Sequence, residues 1–537
     1  MIPILTVAQM KALEKEADKK GLTYSSMMHN AGSGLAEQVH ESFANLEEKT
    51  IIGLVGPGNN GGDTLIALTW LKKQGWQTNA YLVKKRPESD QELQDYYQAG
   101  GHVLLAEEDT KQKELENLLA QTNLLLDGIF GTGIQLPFKP GLATDILKTV
   151  SQTDDKPYVI AVDCPSGVDC DSGQVAEETI PADWTICMAA VKQGMLLFPA
   201  FEFIGELSVV DIGLTEVISD WYMVDRQLVT AQDVHHVMPT RPLDAHKGSF
   251  GTALVVAGSV NYIGAAYLAG KAAYRIGAGL VNMAVPHVVH SAIAGRFIEA
   301  VWTLLPESLG VINKEAVRVV MGEIKKVNAL LLGPGWGQEQ ETALFLKELL
   351  VEEQVNKETG KMGFVGKSGK SSTAKDTLPP LVIDADALKL LVKIPDWHKH
   401  LPEKCVLTPH LGEMAVLTNL AIKEIQADRQ SIAEKYAKQW GCVVVLKGAL
   451  TIIAGPEGKS AIIPVATSAL AKAGTGDVLA GMLVGLLAQG MDAFQAAWSA
   501  AWLHAYAGLN ALEYIGHPAA VLAGDVLDAI PEVLGDI

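Results

Sequence analysis

Short runs of three to five uninterrupted apolar residues recur along this chain, and most stop abruptly on a glycine or a charged residue. Leu124-Leu-Leu126 stops on Asp127, and Tyr158-Val-Ile-Ala-Val162 on Asp163. Ala329-Leu-Leu-Leu332 stops on Gly333, Leu381-Val-Ile383 on Asp384, and Val443-Val-Val-Leu446 on Lys447. Runs so short and so apolar suit strands buried on both faces. Helical stretches separate most of them, which predicts α/β architecture with parallel sheets covered on both sides. Further strands are expected at 51–55, 79–83, 184–189 and 207–210, then at 252–257, 280–285 and 451–453. Thr6-Val-Ala-Gln9 has the form of a capping box and predicts a helix from Val7 to near Gly21, and residues 64–74 have helical spacing.

The pattern breaks once, around Pro239 and Pro242, and then restarts. A length of 537 residues exceeds one ordinary core, so two large α/β domains are expected. The first spans 1–215, the joint and start of the second lie in 216–245, and the second runs over 225–537. Residues 351–380 are rich in Lys, Gly, Ser and Thr and lack periodicity, which suggests a mobile insertion. Within it, Gly363-Phe-Val-Gly-Lys-Ser-Gly-Lys-Ser371 imitates a phosphate-binding P-loop. The glycine required six residues before Lys370 is Phe364, and no strong strand precedes it.

A net charge of −19 disfavours nucleic acid and anionic lipid as partners. It does not disfavour a nucleotide, because backbone amides and helix N-termini act at short range. Five scattered cysteines without a CxxC pair indicate reduced thiols and a cytoplasmic setting. The N-terminal residues carry mixed charge from Lys11 to Lys20 and no apolar signal region. Residues 493–512 lack Asp, Glu, Lys and Arg, but carry Gln495, Ser499, His504 and Asn510, which predicts a buried helix and no membrane span. Small-molecule ligands and assembly into a homo-oligomer are the expected partners.

Chemistry-bearing residues gather at the ends of these runs. In the first half a glycine-rich loop, Gly56-Pro-Gly-Asn-Asn-Gly-Gly-Asp63, lies between a strand and a helix. Gly61 and Gly62 could take positive φ and let a ligand approach the backbone, and the helix start offers free amides to a phosphate. A plain strand–turn–helix junction explains such a loop equally well. Ligands of parallel sheets bind beyond the carboxyl ends of strands, so Asn60, Asp127, Asp163 and Ser166 are expected at one crevice. Either aspartate alone could be a helix N-cap. Both at apolar strand ends favour a site, since a buried unpartnered carboxylate is costly.

The stretches Asn59-Asn-Gly-Gly-Asp63, Asp127-Gly-Ile-Phe-Gly-Thr-Gly133 and Val162-Asp-Cys-Pro-Ser-Gly-Val-Asp169 together closely resemble the NAD(P)H-hydrate epimerase domain, over about residues 1–215, and imply a Rossmann-like three-layer αβα fold. The resemblance implies a potassium ion held by Asn60, Asp127 and Ser166. It implies contacts to a hydrated dinucleotide from Asn59, Asn60, Gly61, Gly62 and Asp63 and from Gly131, Thr132, Gly133, Ile134, Gln135, Leu136 and Pro137. Asp163 is implied to be the general acid/base at the reacting ring carbon. Two positions depart from the family's usual pattern: Thr64 stands where a glycine usually continues the first loop, and His29 replaces a glutamate.

In the second half the sharpest signal is Ala473-Gly-Thr-Gly-Asp477-Val-Leu-Ala-Gly481. Gly474 and Gly476 leave amides free beside a helix N-terminus, an arrangement suited to a transferring phosphate. Asp477 is placed to deprotonate a hydroxyl or to cap the helix. Lys447-Gly448, Gly333-Pro-Gly-Trp-Gly337, Asp384-Ala-Asp386 and Thr408-Pro-His-Leu-Gly-Glu413 each follow a strand, and structural turns account for one or two of these more easily than for all.

With His246-Lys-Gly-Ser-Phe-Gly251 and Gly258-Ser259, these stretches resemble the ribokinase-like NAD(P)H-hydrate dehydratase domain over about residues 225–537. The resemblance implies a nucleotide site of Lys447, Gly448, Ala449, Leu450 and Thr451 with Thr467, Gly474, Thr475 and Gly476. It implies substrate contacts from Ala253, Gly337, His410 and Asp477, and a magnesium-bound water ordered by Glu413. ADP or ATP is the implied co-substrate, and the fused domain order, being the bacterial-type arrangement, points to ADP. Phosphorylation of the ring hydroxyl would make it a leaving group that the ring nitrogen can expel.

Two other readings stay open on sequence grounds. A vitamin or sugar kinase fused to a dinucleotide-binding domain is one, and it would leave a stable phosphorylated product. A non-catalytic scaffold is the other, although both Asp127 and Asp163 are present.

Overall fold

A computed structural model describes residues 1–219, 221–351 and 378–537. The imitation P-loop at 363–371 and nearly all of the expected insertion at 351–380 lie outside the described residues. The chain divides into two compact units, Ile2–Arg226 and Gln227–Ile537 with Met1.

The first unit holds a seven-stranded, wholly parallel sheet in the order His102–Leu105, Gln77–Leu82, Thr50–Val55, Leu124–Gly128, Tyr158–Val162, Trp184–Met188, Glu206–Val210. Alternate residues of one strand face opposite ways. Ile51 and Val55 join a core with Leu35, Leu65 and Leu68 of two helices. Ile52 and Leu54 join another with Leu115, Leu119, Ile146 and Leu147 of two more. The result is three layers, αβα, and it explains why the strands carry no polar alternation. The chain order reverses between Thr50–Val55 and Leu124–Gly128, which are neighbours. Loops leaving such a pair diverge and open a crevice.

The capping box forms as expected, Thr6 and Gln9 opening the helix Val7–Lys19. The helix after the glycine-rich loop begins earlier than its spacing suggested, at Asn59 rather than Thr64. Its cap is Gly58, which has no side chain to announce a helix start. Gly61 and Gly62 therefore do not take positive φ. A Cβ on Gly61 would lie 2.0 Å from the Gly56 carbonyl oxygen, and one on Gly56 only 1.9 Å from that of Ile129. These glycines are required for close packing of the loop against the helix start. Thr64 is accommodated by two other glycines: a Cβ on Gly128 would meet its hydroxyl at 1.9 Å, and one on Gly53 its methyl at 2.7 Å.

The second unit has its own sheet, in the order Val301–Leu305, Leu280–Pro286, Thr252–Val256, Ala329–Leu332, Leu381–Ile383, Cys405–Leu407, Val443–Leu446, Ile452–Ala454, Ser460–Ile462. The first seven strands run parallel, and the pairings of Ile452–Ala454 with Val443–Leu446 and with Ser460–Ile462 are antiparallel. Helices Ile263–Arg275, Thr475–Ala488, Ala493–Ile515 and Ala523–Gly535 pack a large core on one face. Gly481 and Gly485 let two of these helices touch backbone to backbone: added Cβ atoms would lie 2.1 and 2.8 Å from the carbonyl oxygens of Ala269 and Ala273. Ala493–Ile515 is largely buried, and among the described residues no helix is long and apolar enough to cross a membrane.

Candidate functional sites

The first unit contains a cavity of about 1060 Å³ at the diverging loops. Asn59, Asn60 and Asp63 from the helix start line it, with Gly131, Thr132, Gly133, Ile134 and Gln135 from the neighbouring loop and Asp163 from the end of Tyr158–Val162. Gly61, Gly62, Leu136 and Pro137 do not line it. Gly62 instead packs against Met28. A cavity of this size suits a large ligand.

Asp163 adopts φ = +67°, a left-handed conformation uncommon for a residue with a Cβ and frequent where a site imposes strain. It caps no helix. Its Oδ1 accepts the amide N–H of Met188 at 2.9 Å and the ammonium of Lys192. Lys192 is 1% exposed and sits in the short strand Val191–Lys192, which pairs in parallel with Ile2–Leu5. It also donates to the Met188 carbonyl at 3.1 Å. Burial pushes the ammonium toward losing its proton, but the charge of Asp163 more than offsets that and holds it above the usual lysine value. Lys192 lines the cavity, and the sequence reading had missed it.

Asp127 and Ser166 lie beneath the cavity, fully buried. The Ser166 hydroxyl donates to Asp127 Oδ1 at 2.6 Å and the Ser166 amide to Oδ2 at 2.8 Å. Burial raises the Asp127 carboxyl group, and these two bonds partly offset that. The Asn60 amide donates to the carbonyls of Val162 and Phe130 at 2.7 and 3.0 Å, with its oxygen beside Gly131. Phe130 N–H in turn donates to the Ser166 hydroxyl at 2.8 Å. Asn60, Asp127 and Ser166 thus form one connected, oxygen-rich cluster carrying a single carboxylate. That donor set fits a hard monovalent cation.

In the second unit a cavity of about 180 Å³ is lined by Lys447, Gly448, Ala449, Thr451, Thr467, Thr475 and Gly476 among the expected nucleotide residues. Apolar Ile463, Val465, Leu470 and Leu479 complete it. Leu450 (φ +54°) and Gly474 (φ +96°) shape the loops without facing the cavity. Gly474, not Asp477, is the N-cap of Thr475–Ala488. His504 also faces this cavity. Its Nε2 is buried without a partner, and burial pushes its pKa down to about 4. It is therefore neutral, with its other ring nitrogen donating to the Thr475 backbone and Nε2 left as an unused acceptor.

Lys447 donates to Asp384 Oδ1 at 2.6 Å and lies 3.9 Å from Glu413 Oε2. Asp477 faces the same group. Burial, then the Asp384 charge, push its carboxyl up to about 7, with Lys447 acting in the opposite direction. Glu413 accepts the His410 amide at 3.0 Å, while the His410 ring caps the helix Leu411–Thr418. Burial would raise the Glu413 carboxyl group, but His410 and Lys447 hold it below its usual value. Gly337 donates its amide to Asp386 Oδ2 at 3.0 Å. Among the described residues no three His, Cys, Asp or Glu side chains form a metal cluster. Glu413 offers a single carboxylate beside Lys447, a donor that suits a magnesium ion bound through water.

Ala253, whose expected contact to a dinucleotide rests on the family motif before it, is 0% exposed and belongs to the helix-covered core of its sheet.

Comparison with known proteins adds the following. The family model described as NAD(P)H-hydrate dehydratase matches residues 253–360 and 369–532. The model described as YjeF-related protein N-terminus matches residues 25–194. A bifunctional NAD(P)H-hydrate repair enzyme Nnr of Moorella thermoacetica is 34% identical over 541 residues, covering 99% of this chain and 97% of that protein. Its counterpart from Salinibacter ruber is 33% identical over 556 residues, covering 99% and 96%. A solved ADP/ATP-dependent NAD(P)H-hydrate dehydratase of Bacillus subtilis, co-crystallised with ATP/Mg2+, is 28% identical with a TM-score of 0.46, covering 58% of this chain and 98% of that one. End-to-end similarity to two-activity relatives, in a chain whose two units each carry a cavity lined by the motif residues, leads to one conclusion: this chain belongs to the bifunctional NAD(P)H-hydrate repair enzymes.

Proposed function

We propose that this chain repairs hydrated NADH and NADPH, its first unit interconverting the R and S hydrates and its second dehydrating the S hydrate at the expense of ADP or ATP. The observation that carries this reading is the presence of two differently built cavities in one chain, the first lined by Asp163 and the second by Lys447 and Gly476, beside which Asp477 lies. In the first, Asp163 has one oxygen tied to Met188 and Lys192, which leaves Oδ2 for a substrate. Asn60, Asp127 and Ser166 would hold a potassium ion, which would supply positive charge to the site.

In the second, Asp477 takes the proton of the ring hydroxyl as that oxygen attacks the terminal phosphoryl group of the nucleotide. The amides at Gly474–Gly476 and the start of Thr475–Ala488 hold the transferring group. The ring nitrogen then expels phosphate, and the iminium so formed loses a proton from the adjoining ring carbon, so that the dihydropyridine is restored and ADP ends as AMP and phosphate. Lys447 to Thr451 and Thr467 frame the nucleotide, while Gly337 and His410 lie on the substrate side. Glu413 would order a magnesium-bound water, and that ion neutralises phosphate charge. The bacterial-type fused order supports ADP. The acidic net charge supports small-molecule partners over nucleic acid or membrane, and five buried free cysteines support a reducing, cytoplasmic setting. A homo-oligomer completes the proposal.

Single substitutions should separate the activities. Asp163→Ala should abolish use of the R hydrate while S-hydrate dehydration continues, and Asp477→Asn should do the reverse. Unchanged R-hydrate turnover in Asp163→Ala would overturn the assignment of the first site.

A further inference from the structure

Asp63 stands out within the first cavity. It lies one turn into the helix Asn59–Lys73, is 7% exposed, and lines the cavity. Its carboxyl group has no hydrogen-bond or ion-pair partner among the described residues. A carboxylate left so would be costly. The charged groups facing it are Asp163, Glu14 and Glu92, all acidic, and Lys192, which is already committed to Asp163. Burial first, and then the neighbouring carboxylates, hold Asp63 protonated well above the usual carboxyl range. Asp163, reached from a different wall of the same cavity, has the opposite environment: an ammonium and an amide bind one of its oxygens. One cavity thus holds a partnerless carboxyl group that stays protonated and a second carboxyl group anchored by an ammonium, the two members that an acid/base pair requires.

We propose that Asp63 is the proton donor that works opposite Asp163 in the first site. The proposal rests on the epimerase reading of that site. The hydrate's reacting carbon bears a hydroxyl group and is bonded to the ring nitrogen. Asp163 takes the hydroxyl proton, and the O–H electron pair forms the carbonyl bond. The carbon–nitrogen bond breaks, its electron pair goes to the nitrogen, and the nitrogen takes the proton of Asp63. The ring is then open, with an aldehyde and an N–H. Rotation about the adjoining carbon–carbon bond presents the other carbonyl face. The nitrogen attacks it, returning its proton to Asp63 while Asp163 gives its own back to oxygen. The pair carries one proton throughout, and no oxidant, reductant or co-reactant is needed. Lys192, beside Asp163, keeps a compensating positive charge in the cavity.

The test uses the full chain and the R hydrate. Asp63→Asn keeps the shape but cannot give up a proton. It should lower epimerase kcat about 10²–10⁴-fold, with KM for the R hydrate within threefold of the unaltered chain and equilibrium binding of that hydrate retained. Retained binding shows that the first unit is folded. Turnover within fivefold of the unaltered chain would overturn the proposal. A loss confined to KM, or a loss of hydrate binding, would make Asp63 a binding group and overturn it equally. Asp163→Asn, measured in parallel, distinguishes the levels. If Asp163→Asn is inactive and Asp63→Asn active, only the Asp63 assignment fails. If both are active, the epimerase reading itself fails.

Discussion

Replacing Lys192 by methionine removes an ammonium from inside the first unit while filling nearly the same volume. The side chain is 1% exposed and has two acceptors, Asp163 Oδ1 and the Met188 carbonyl. After the change, the buried Asp163 carboxylate keeps only the Met188 N–H. Removing one partner of a buried ion pair costs about 3–5 kcal/mol, because the remaining charge stays uncompensated. For a unit of about 200 residues each kcal/mol moves the melting temperature by about 2–4 °C, so a fall of about 6–20 °C is expected. Scanning calorimetry on the full chain should show that drop in the transition of the first unit. Asp163→Asn alone strands the lysine instead, and the double variant Lys192→Met/Asp163→Asn leaves no unpaired charge. It should therefore melt above the sum of the two single effects, the signature of coupling in a double-mutant cycle. A Lys192→Met chain melting within about 2 °C of the unaltered chain, well short of the shift that cost implies, or strictly additive effects, would refute the claim that this pair anchors Asp163.

The remaining predictions concern both units. Asp477, pushed up to about 7, gains its basic form as pH rises, so S-hydrate dehydration should climb through about pH 7 and then level off in a kcat profile. Stability has the opposite sign. With the folded value raised above the ordinary 3.8, the contribution is full below that value and is lost as pH rises through about 7, a trend that Asp477→Asn should abolish in urea titrations. Asp127→Asn removes the only carboxylate of the Asn60–Ser166 cluster and should raise the KCl concentration needed for half-maximal epimerase activity by about tenfold or more, a loss of about 1.4 kcal/mol. NaCl titrations provide the control. Gly61→Ala places a methyl group 2.0 Å from the Gly56 carbonyl oxygen. It should destabilise the first unit by about 1–3 kcal/mol and depress R-hydrate turnover more than S-hydrate dehydration.

What could be read from sequence had local causes. Apolar runs ending on Asp127, Asp163, Asp384 or Lys447 placed strand ends correctly, because burial on both faces leaves no room for polar residues within the run. The capping box at Thr6 and Gln9 was legible because its bonds lie within three residues. The helix start at Asn59 was not, since Gly58 caps it without a side chain and Asn59-Asn-Gly-Gly resembles a loop. The strands His102–Leu105 and Ser460–Ile462 went unnoticed because both are short. Lys192 is 29 residues from Asp163 and meets it only through the sheet. Its one signal was a lone charge after the apolar stretch Met188-Ala-Ala-Val191. His504 had been noticed only as a polar break in an alanine-rich helix. Its role as an unpartnered acceptor depends on Thr475–Ala488 packing beside it.

The most direct test of the whole account supplies the unaltered full chain with mixed R and S hydrates of NADH, with ADP and ATP in separate reactions. Complete conversion of both hydrates to NADH, read by recovered absorbance and matched mole for mole by released phosphate, is the predicted result. Phosphate release without hydrate, a stable phosphorylated product, or conversion that stops when the S hydrate is exhausted would contradict it.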